Sequence, residues 1–169
     1  MNIITAVRAS YPKVQQVGVT VDLQPETINE LVRRLRLDVV QLHGAESIAT
    51  VQAIRAPSIW KSVILNEPAA VAQLVEYAPY VQALHIDAGR GSGKIISADL
   101  LQATVTALAK LGSTAKPLVI AGGISPNNVD QFLSYQAAVL DVNSGVEAQP
   151  GKKDPQLLQK LFQTIYAYA

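Results

Sequence analysis

Two segments of the chain combine strand-like apolar runs with small polar residues in a way that suits phosphate binding. Each apolar run, residues 117–121 and 138–142, is followed at once by glycine or by small polar side chains. These residues are Gly122, Gly123, Asn143, Ser144 and Gly145. Glycines let backbone N–H groups approach a ligand closely, and paired strand ends of this kind can hold one phosphate group. A lone glycine pair is more often a tight turn, but the second segment favours a phosphate site.

The residues after the glycine pair predict a helix. Ser125 is a good N-cap and Pro126 suits the first helical position, so we expect the helix to begin there. The positive end of that helix would then lie beside the glycines and favour an anion.

Asp87 is the residue best placed for acid–base chemistry. It ends an apolar run and precedes the glycine-rich residues 88–94, which include Gly91 and Gly93. A carboxyl group beneath such a loop can serve as a general acid, or it can simply cap the loop, and the residues alone favour neither. The loop lacks the Lys-Ser/Thr ending of a Walker motif, which argues against nucleotide hydrolysis.

Three further side chains could take part in catalysis or ligand binding. His43 and His85 occupy equivalent sides of their strands, which suggests metal binding, but without a clear third ligand hydrogen-bonded histidines are favoured. Lys61 at a strand end could form a Schiff base, although a lysine paired with a carboxylate is the simpler interpretation. Lys152, Lys153 and Asp154 mark a polar turn, with Asp154 as the cap of the last helix.

Composition narrows the class of protein. The 169 residues carry a net charge of +1, with 49% hydrophobic and 16% charged residues and no cysteine. We therefore expect one domain over residues 1–169, without disulfides or thiolate chemistry. The charge gives no reason to expect nucleic acid, and no apolar run or leader suggests a membrane, so the chain is predicted to be cytoplasmic.

The elements that position these residues alternate regularly. Residues 1–10 resemble the end of a helix, and six strand–helix units follow. The predicted strands are residues 17–21, 38–42, 59–64, 82–87, 117–121 and 138–142, and the helices begin at Pro25 and cover 46–54, 67–77, 99–111, 126–135 and 154–168. This alternation indicates a parallel α/β sheet, in which ligands bind at the carboxyl ends of the strands.

Three motifs resemble those of the phosphoribosylanthranilate isomerase family of tryptophan biosynthesis. They are DVVQLHG at residues 38–44, AGGISPNNV at 121–129, and DVNSGVE at 141–147 with PGKKD at 150–154. The resemblance runs in order from about Val17 to the C-terminus. The last two motifs together are quite specific, whereas the glycine pair alone occurs in many phosphate-binding barrels.

The resemblance implies a (β/α)8 barrel, the TIM-barrel type, that performs an Amadori rearrangement on a small phosphorylated sugar substrate. Asp87 falls at the family's general acid, and Gly122, Gly123, Asn143, Ser144 and Gly145 fall at its phosphate site. His43, Gly91 and Gly93 are expected to contact the substrate. No cofactor and no metal are implied.

The chain also departs from the family pattern. The family's general base is a cysteine on its first strand, and a Ser-Pro-Arg segment contacts the anthranilate carboxylate; neither is present here. The loop after Asp87 is shorter than usual, and Asn143 stands where a serine is usual. Asp22, at a strand end, is a candidate for a replacement base.

Six units predict an incomplete barrel. The chain would begin inside the family's second helix and lack the N-terminal strand-helix-strand of the family, most simply because coding sequence precedes Met1. Strands near Val19 and Leu140 would then expose apolar surface at open edges, because strand number, shear and tilt are linked in a closed barrel. We expect self-association, poor stability or a partner that supplies the remaining strands.

Two alternatives to an active isomerase remain open. One is a related sugar-phosphate barrel enzyme. The residues that bind anthranilate would distinguish the isomerase from such an enzyme. The other is a catalytically inactive member of the family that binds phosphate or a partner; the absent cysteine favours it, and Asp87 with the glycine motifs opposes it.

Overall fold

The computed structural model describes residues 3–89 and 95–168. Strands and helices alternate along the chain as the sequence predicts. The helices are α1 (Ile3–Ser10), α2 (Pro25–Leu35), α3 (Ile48–Ala53), α4 (Ala69–Tyr77), α5 (Ala98–Ala109), α6 (Asp130–Leu133) and α7 (Pro155–Tyr168). The strands are β1 (Val17–Thr20), β2 (Val39–Leu42), β3 (Ile59–Ile64), β4 (Ala83–Asp87), β5 (Leu118–Ile120), β6 (Val139–Leu140), β7 (Glu147–Gln149) and β8 (Lys152–Lys153).

Strands β1 to β6 form one parallel sheet in sequence order. The register aligns Val19 with Gln41, and His85 with Val119. Because every strand of this sheet runs the same way, their carboxyl ends meet at one side, which is where ligands bind in such sheets. Strands β7 and β8 form a separate antiparallel hairpin.

Apolar side chains on the helices cover one face of the sheet. Ile28, Leu74, Leu101 and Leu161, from four different helices, join the buried strand residues in a single core. Helices α3 and α5 begin at side-chain caps, because Ser47 accepts a hydrogen bond from the N–H of Thr50 and Ser97 accepts one from that of Leu100. Among the described helices, none is long and apolar enough to cross a bilayer.

The sheet has two open edges. Within the described residues, β1 pairs only with β2, and β6 only with β5. Val19 on β1 is 60% exposed and Val139 on β6 is 38% exposed, so apolar side chains lie at both edges. The prediction of an incomplete TIM-type barrel with six strand–helix units is therefore confirmed.

The helix after the glycine pair begins later than predicted. It starts at Asp130, not at Pro126. Asn128 explains the delay, because its Oδ1 accepts from the backbone N–H of Ser125 at 2.7 Å and its Nδ2 donates to the Gly123 carbonyl at 2.9 Å. These bonds hold the segment as a turn, so the prediction of a helix N-terminus beside the glycines is wrong.

Two smaller differences lie near the C-terminus. Strand β6 has two residues where five were predicted, because its ladder with β5 covers only Val139 and Leu140. The polar turn predicted at Lys152 and Lys153 is one strand of the hairpin. Asp154 caps α7 as predicted, since its Oδ1 accepts from the backbone N–H groups of Gln156 and Leu157.

Candidate active site

An open cavity of about 410 Å³ lies at the carboxyl ends of the strands. The sequence predicted that six of its lining residues would belong to a site: His43, Asp87, Gly122, Gly123, Asn143 and Ser144. Val19, Val21, Gln41 and Asp141 line it as well. Gly91 and Gly93 fall outside the described residues. The polar lining of the cavity thus comes from the carboxyl ends of β2, β4, β5 and β6, and the end of β1 contributes apolar side chains.

Asp87 ends β4 at the wall of this cavity. Its Oδ1 accepts a hydrogen bond of 2.7 Å from the backbone N–H of Gly89, and its Oδ2 lies 3.9 Å from Nε2 of His43. The side chain is 17% exposed, so it is shielded but still reaches the cavity. The carboxyl group therefore caps its loop and faces the site at the same time, and the two interpretations of the sequence do not exclude each other.

Polar side chains surround the two histidines, which lie at strands β2 and β4 on either side of β3. The rings lie 5.6 Å apart between centroids, on the same side of the sheet as predicted. Nδ1 of His85 lies 2.7 Å from Ser62 Oγ, and its Nε2 lies 3.2 Å from Oδ2 of Asp141. Gln41 Nε2 lies 3.2 Å from Nδ1 of His43. The hydrogen bond from His85 lowers the pKa of Asp141, despite partial burial that acts to raise it.

The glycines at the ends of β5 and β6 occupy positions that exclude larger residues. Gly122 has φ +92°, and a Cβ added there would lie 2.6 Å from the backbone nitrogen of Ala88. Gly123 has φ +67°, a conformation that favours glycine. A Cβ at Gly145 would overlap the carbonyl oxygen of Ile124. Gly145 therefore packs the β6 loop against the β5 loop, behind the residues that line the cavity.

Lys153 fixes the loop after β6. Its Nζ donates to the backbone carbonyl and to the side-chain oxygen of Asn143, and to Oε1 of Glu147 at 2.8 Å. The hydrogen bond from Lys153 lowers the pKa of Glu147. The sequence places Lys153 only in a turn, because the hairpin that brings Lys153 back to Asn143 leaves no local periodic signal.

Lys61 and Asp22 belong to a neighbouring structural cluster. Lys61 is 2% exposed and donates to Glu46 Oε2 at 3.1 Å and to the carbonyls of Gly44 and Ser62. A lysine with these partners is the paired cation that the sequence favoured over a Schiff base. Asp22 Oδ1 accepts from the backbone N–H of Ala45 at 2.6 Å, and Asp22 is not among the residues that line the 410 Å³ cavity. The geometry therefore gives no support to Asp22 as a base.

Metal binding was the other interpretation of the two histidines. Over residues 3–89 and 95–168, no group of three or more His, Cys, Asp or Glu side chains is arranged to hold a metal ion. His85 instead bonds Ser62 and Asp141, as the favoured interpretation of hydrogen-bonded histidines requires.

Comparison with known proteins assigns the chain to a family. A family model described as N-(5'phosphoribosyl)anthranilate (PRA) isomerase matches residues 2–164. The N-(5'-phosphoribosyl)anthranilate isomerase of Geobacillus thermodenitrificans is 31% identical over 166 residues, which are 95% of this chain and 74% of that protein.

Solved structures support the same family assignment. The phosphoribosyl anthranilate isomerase of Thermus thermophilus superimposes with a TM-score of 0.83 at 32% identity, covering 98% of this chain and 80% of that one. A second isomerase structure, solved with reduced 1-(o-carboxyphenylamino)-1-deoxyribulose 5-phosphate, gives a TM-score of 0.76 at 25% identity and covers 97% and 78%. The chain belongs to the N-(5'-phosphoribosyl)anthranilate isomerase family.

Proposed function

We propose that this chain binds N-(5'-phosphoribosyl)anthranilate in the cavity at the carboxyl ends of the strands and isomerises it to the carboxyphenylamino-deoxyribulose phosphate of tryptophan biosynthesis. The observation that carries the proposal is that Asp87 and the glycine-containing ends of β5 and β6 line one cavity. A carboxyl group on one wall and backbone N–H groups on the other suit a substrate that has a reactive ribose ring at one end and a phosphate at the other.

The phosphate end is assigned to Gly122, Gly123, Asn143 and Ser144, with Gly145 fixing the two loops against each other. Glycine at positions of positive φ leaves room for an oxyanion beside the backbone. The side chain of Asn143 is held by Lys153, so its backbone is pre-positioned and a nearby cation adds to the attraction for a phosphate.

Asp87 is assigned the role of general acid at the ribose end. It donates a proton to the ring oxygen as the C1–O bond breaks, and the lone pair of the anilino nitrogen forms a C1=N iminium. A base then removes the C2 proton, and the C–H electrons form an enolamine. The enolamine becomes the ketone when C1 gains a proton and the C2 hydroxyl loses one.

The base in this chain cannot be a cysteine, since the chain has none. We assign the role to Asp141, on the strand end next to the phosphate loops. Asp141 lines the same cavity, and a carboxylate of ordinary or lowered pKa is ionised at neutral pH. The hydrogen bond from His85 orients the carboxylate but weakens it as a base. The iminium makes the C2 proton acidic, which reduces the basicity that the carboxylate needs. Asp141→Asn should then abolish turnover, and the reduced product analogue should still bind.

Binding of the reduced product analogue, measured by calorimetry, tests the site without requiring chemistry. The wild-type chain should bind, and Gly122→Ala should weaken binding at least tenfold, because the added methyl group overlaps Ala88 beside the phosphate. Gly112→Ala is the matched control. Gly112 also has positive φ, at +55°, but a Cβ there meets no atom within 4 Å. Equal affinity in both variants would contradict the assignment of the phosphate site.

One observation favours a second function. The 169 residues contain no cysteine to act as the base, so a chain without a replacement base would bind the phosphorylated ligand and not turn it over. Such a protein would bind the analogue like an active enzyme. It would differ in showing no turnover in a folded sample.

The remaining proposals concern the whole chain. We propose that residues 1–169 act as one partial-barrel domain in the cytoplasm, and that the open edges at β1 and β6 pair with a second copy or with a partner that supplies further strands. The exposed valines at both edges support this. Sedimentation of the purified chain should show a species larger than a monomer; a monomer that unfolds cooperatively would contradict it.

A further inference from the structure

Gln41 occupies a buried position between the two histidines of the cavity. Its side chain is 4% exposed, and its amide nitrogen lies 3.2 Å from Nδ1 of His43 and 3.4 Å from Nε2 of His85. Neither catalysis nor phosphate binding, as assigned above, uses this side chain. A buried primary amide nonetheless determines which nitrogen of a neighbouring imidazole can carry a proton, because its NH2 group only donates and its oxygen only accepts.

The protonation of His85 follows from its two short contacts. The Asp141 carboxylate only accepts hydrogen bonds, so Nε2 of His85 must carry the proton that it donates at 3.2 Å. The Ser62 hydroxyl then donates to the bare Nδ1 at 2.7 Å. The 3.4 Å contact between the Gln41 amide nitrogen and Nε2 of His85 then joins two donors and is not a hydrogen bond. His85 is thereby fixed as the Nε2–H tautomer.

The same reasoning extends to His43. The amide nitrogen of Gln41 donates to Nδ1 of His43, which must therefore be bare. The ring proton of neutral His43 then sits on Nε2, the nitrogen that lies 3.9 Å from Oδ2 of Asp87. Among residues 3–89 and 95–168, the other ionisable groups around this ring are His85 and Asp141 within the site and, across the adjoining cavity, Asp22 and Lys61.

We propose that Gln41 is a positioning residue that holds His43 as the Nε2–H tautomer, so that the imidazole presents an N–H group to Asp87 and to the ligand cavity. This inference rests on the proposed function, since it supplies a neutral donor beside the general acid. The donor can bond the ionised form of Asp87 after proton transfer, or a ribose oxygen held between the two residues. Gln41 acts only through His43.

The test is nitrogen NMR of the imidazole rings, which distinguishes bare from protonated nitrogens. The chain has two histidines, so two ring systems appear, and His43→Gln assigns them. At about pH 8, where an unperturbed histidine is neutral, both rings of the wild type should carry the proton on Nε2. Gln41→Glu replaces the donor by an acceptor, so Nδ1 of His43 should gain a proton while His85 stays unchanged. Gln131→Glu, at an exposed glutamine, is the control and should leave both rings as in the wild type.

Two outcomes overturn the inference. One is a proton on Nδ1 of His43 in the wild type, which would mean that the amide oxygen of Gln41 faces the ring. The other is a Gln41→Glu variant in which the His43 signals do not change. Binding of the product analogue, measured on the same samples, separates this failure from failure of the proposed function. A chain that shows the tautomer but does not bind the analogue contradicts only the proposed function. A chain that binds the analogue but lacks the tautomer contradicts only the role of Gln41.

Discussion

Nζ of Lys61 lies 3.1 Å from Oε2 of Glu46, and both side chains are almost completely buried, at 2% and 0% exposure. Glu46 also accepts from the backbone N–H groups of Asp22 and Gly44. One ion pair therefore fixes the loops after β1 and β2 to strand β3. Burial lowers the pKa of Lys61, and the neighbouring Glu46 opposes that shift.

Glu46→Gln should destabilise the chain strongly. Removal of one partner leaves a buried cation without its counter-charge, which costs about 3–5 kcal/mol of unfolding free energy in comparable pairs. Urea denaturation at neutral pH measures the loss. The control is Glu67→Gln at an exposed position, which should change stability little. A loss below about 1 kcal/mol for Glu46→Gln would contradict the role given to this ion pair.

Thr20→Val should stabilise the chain. The Thr20 hydroxyl is buried and has no hydrogen-bond partner among the described residues, and an unsatisfied buried hydroxyl costs about 1–3 kcal/mol. Valine has a similar shape and no polar group, so we expect the free energy of unfolding to rise by about 1 kcal/mol. Thr104→Val is the matched control. The Thr104 hydroxyl donates to the Leu100 carbonyl at 2.8 Å, so its loss should lower stability. A decrease of equal size in both variants would show that Thr20 has a partner.

Asp141→Asn should lower stability in a pH-dependent way. Asp141 has a lower pKa in the folded chain than the ordinary 3.8, because of the hydrogen bond from His85. The folded state thus binds the proton less readily than the unfolded state. The stabilisation is fully present above about pH 4 and is lost as the pH falls through the lowered pKa of the folded chain. Urea denaturation across this pH range measures the loss of stability, with Asp130→Asn as the exposed control. If the difference in unfolding free energy between wild type and Asp141→Asn grew as the pH fell, the stabilising bond from His85 to the Asp141 carboxylate would be contradicted.

Much of the fold follows from the sequence because buried parallel strands and amphipathic helices have distinct periodicities. Strand β3 at Ile59–Ile64 matches its prediction, and helix α7 begins one residue after the predicted position, behind its Asp154 cap. The elements that were misplaced depend on side chains that override local preference. At Ser125 and Pro126, good helix-starting residues lose to the two hydrogen bonds that Asn128 makes with its own loop.

The site was predictable to the extent that its residues lie at strand ends. His43 and Asp87 could be placed on one rim because parallel strands share an orientation. The distances and partners of the site residues could not be predicted from the sequence. The contact between Gln41 and His85 spans 44 positions, and the contact between Lys153 and Asn143 depends on a hairpin. Such contacts depend on register, which periodicity alone does not define.

The loss of phosphoribosylanthranilate fluorescence on adding the purified chain tests the central claim most directly. The wild-type chain should turn the substrate over, and Asp87→Asn should lower the rate about 10²–10⁴-fold, the usual contribution of a general acid. Asp99→Asn, at an exposed position at the start of α5, should retain the wild-type rate. A folded wild-type chain that binds the product analogue without turnover, or an Asp87→Asn variant as active as the wild type, would contradict the assignment of Asp87 as the acid of an active isomerase.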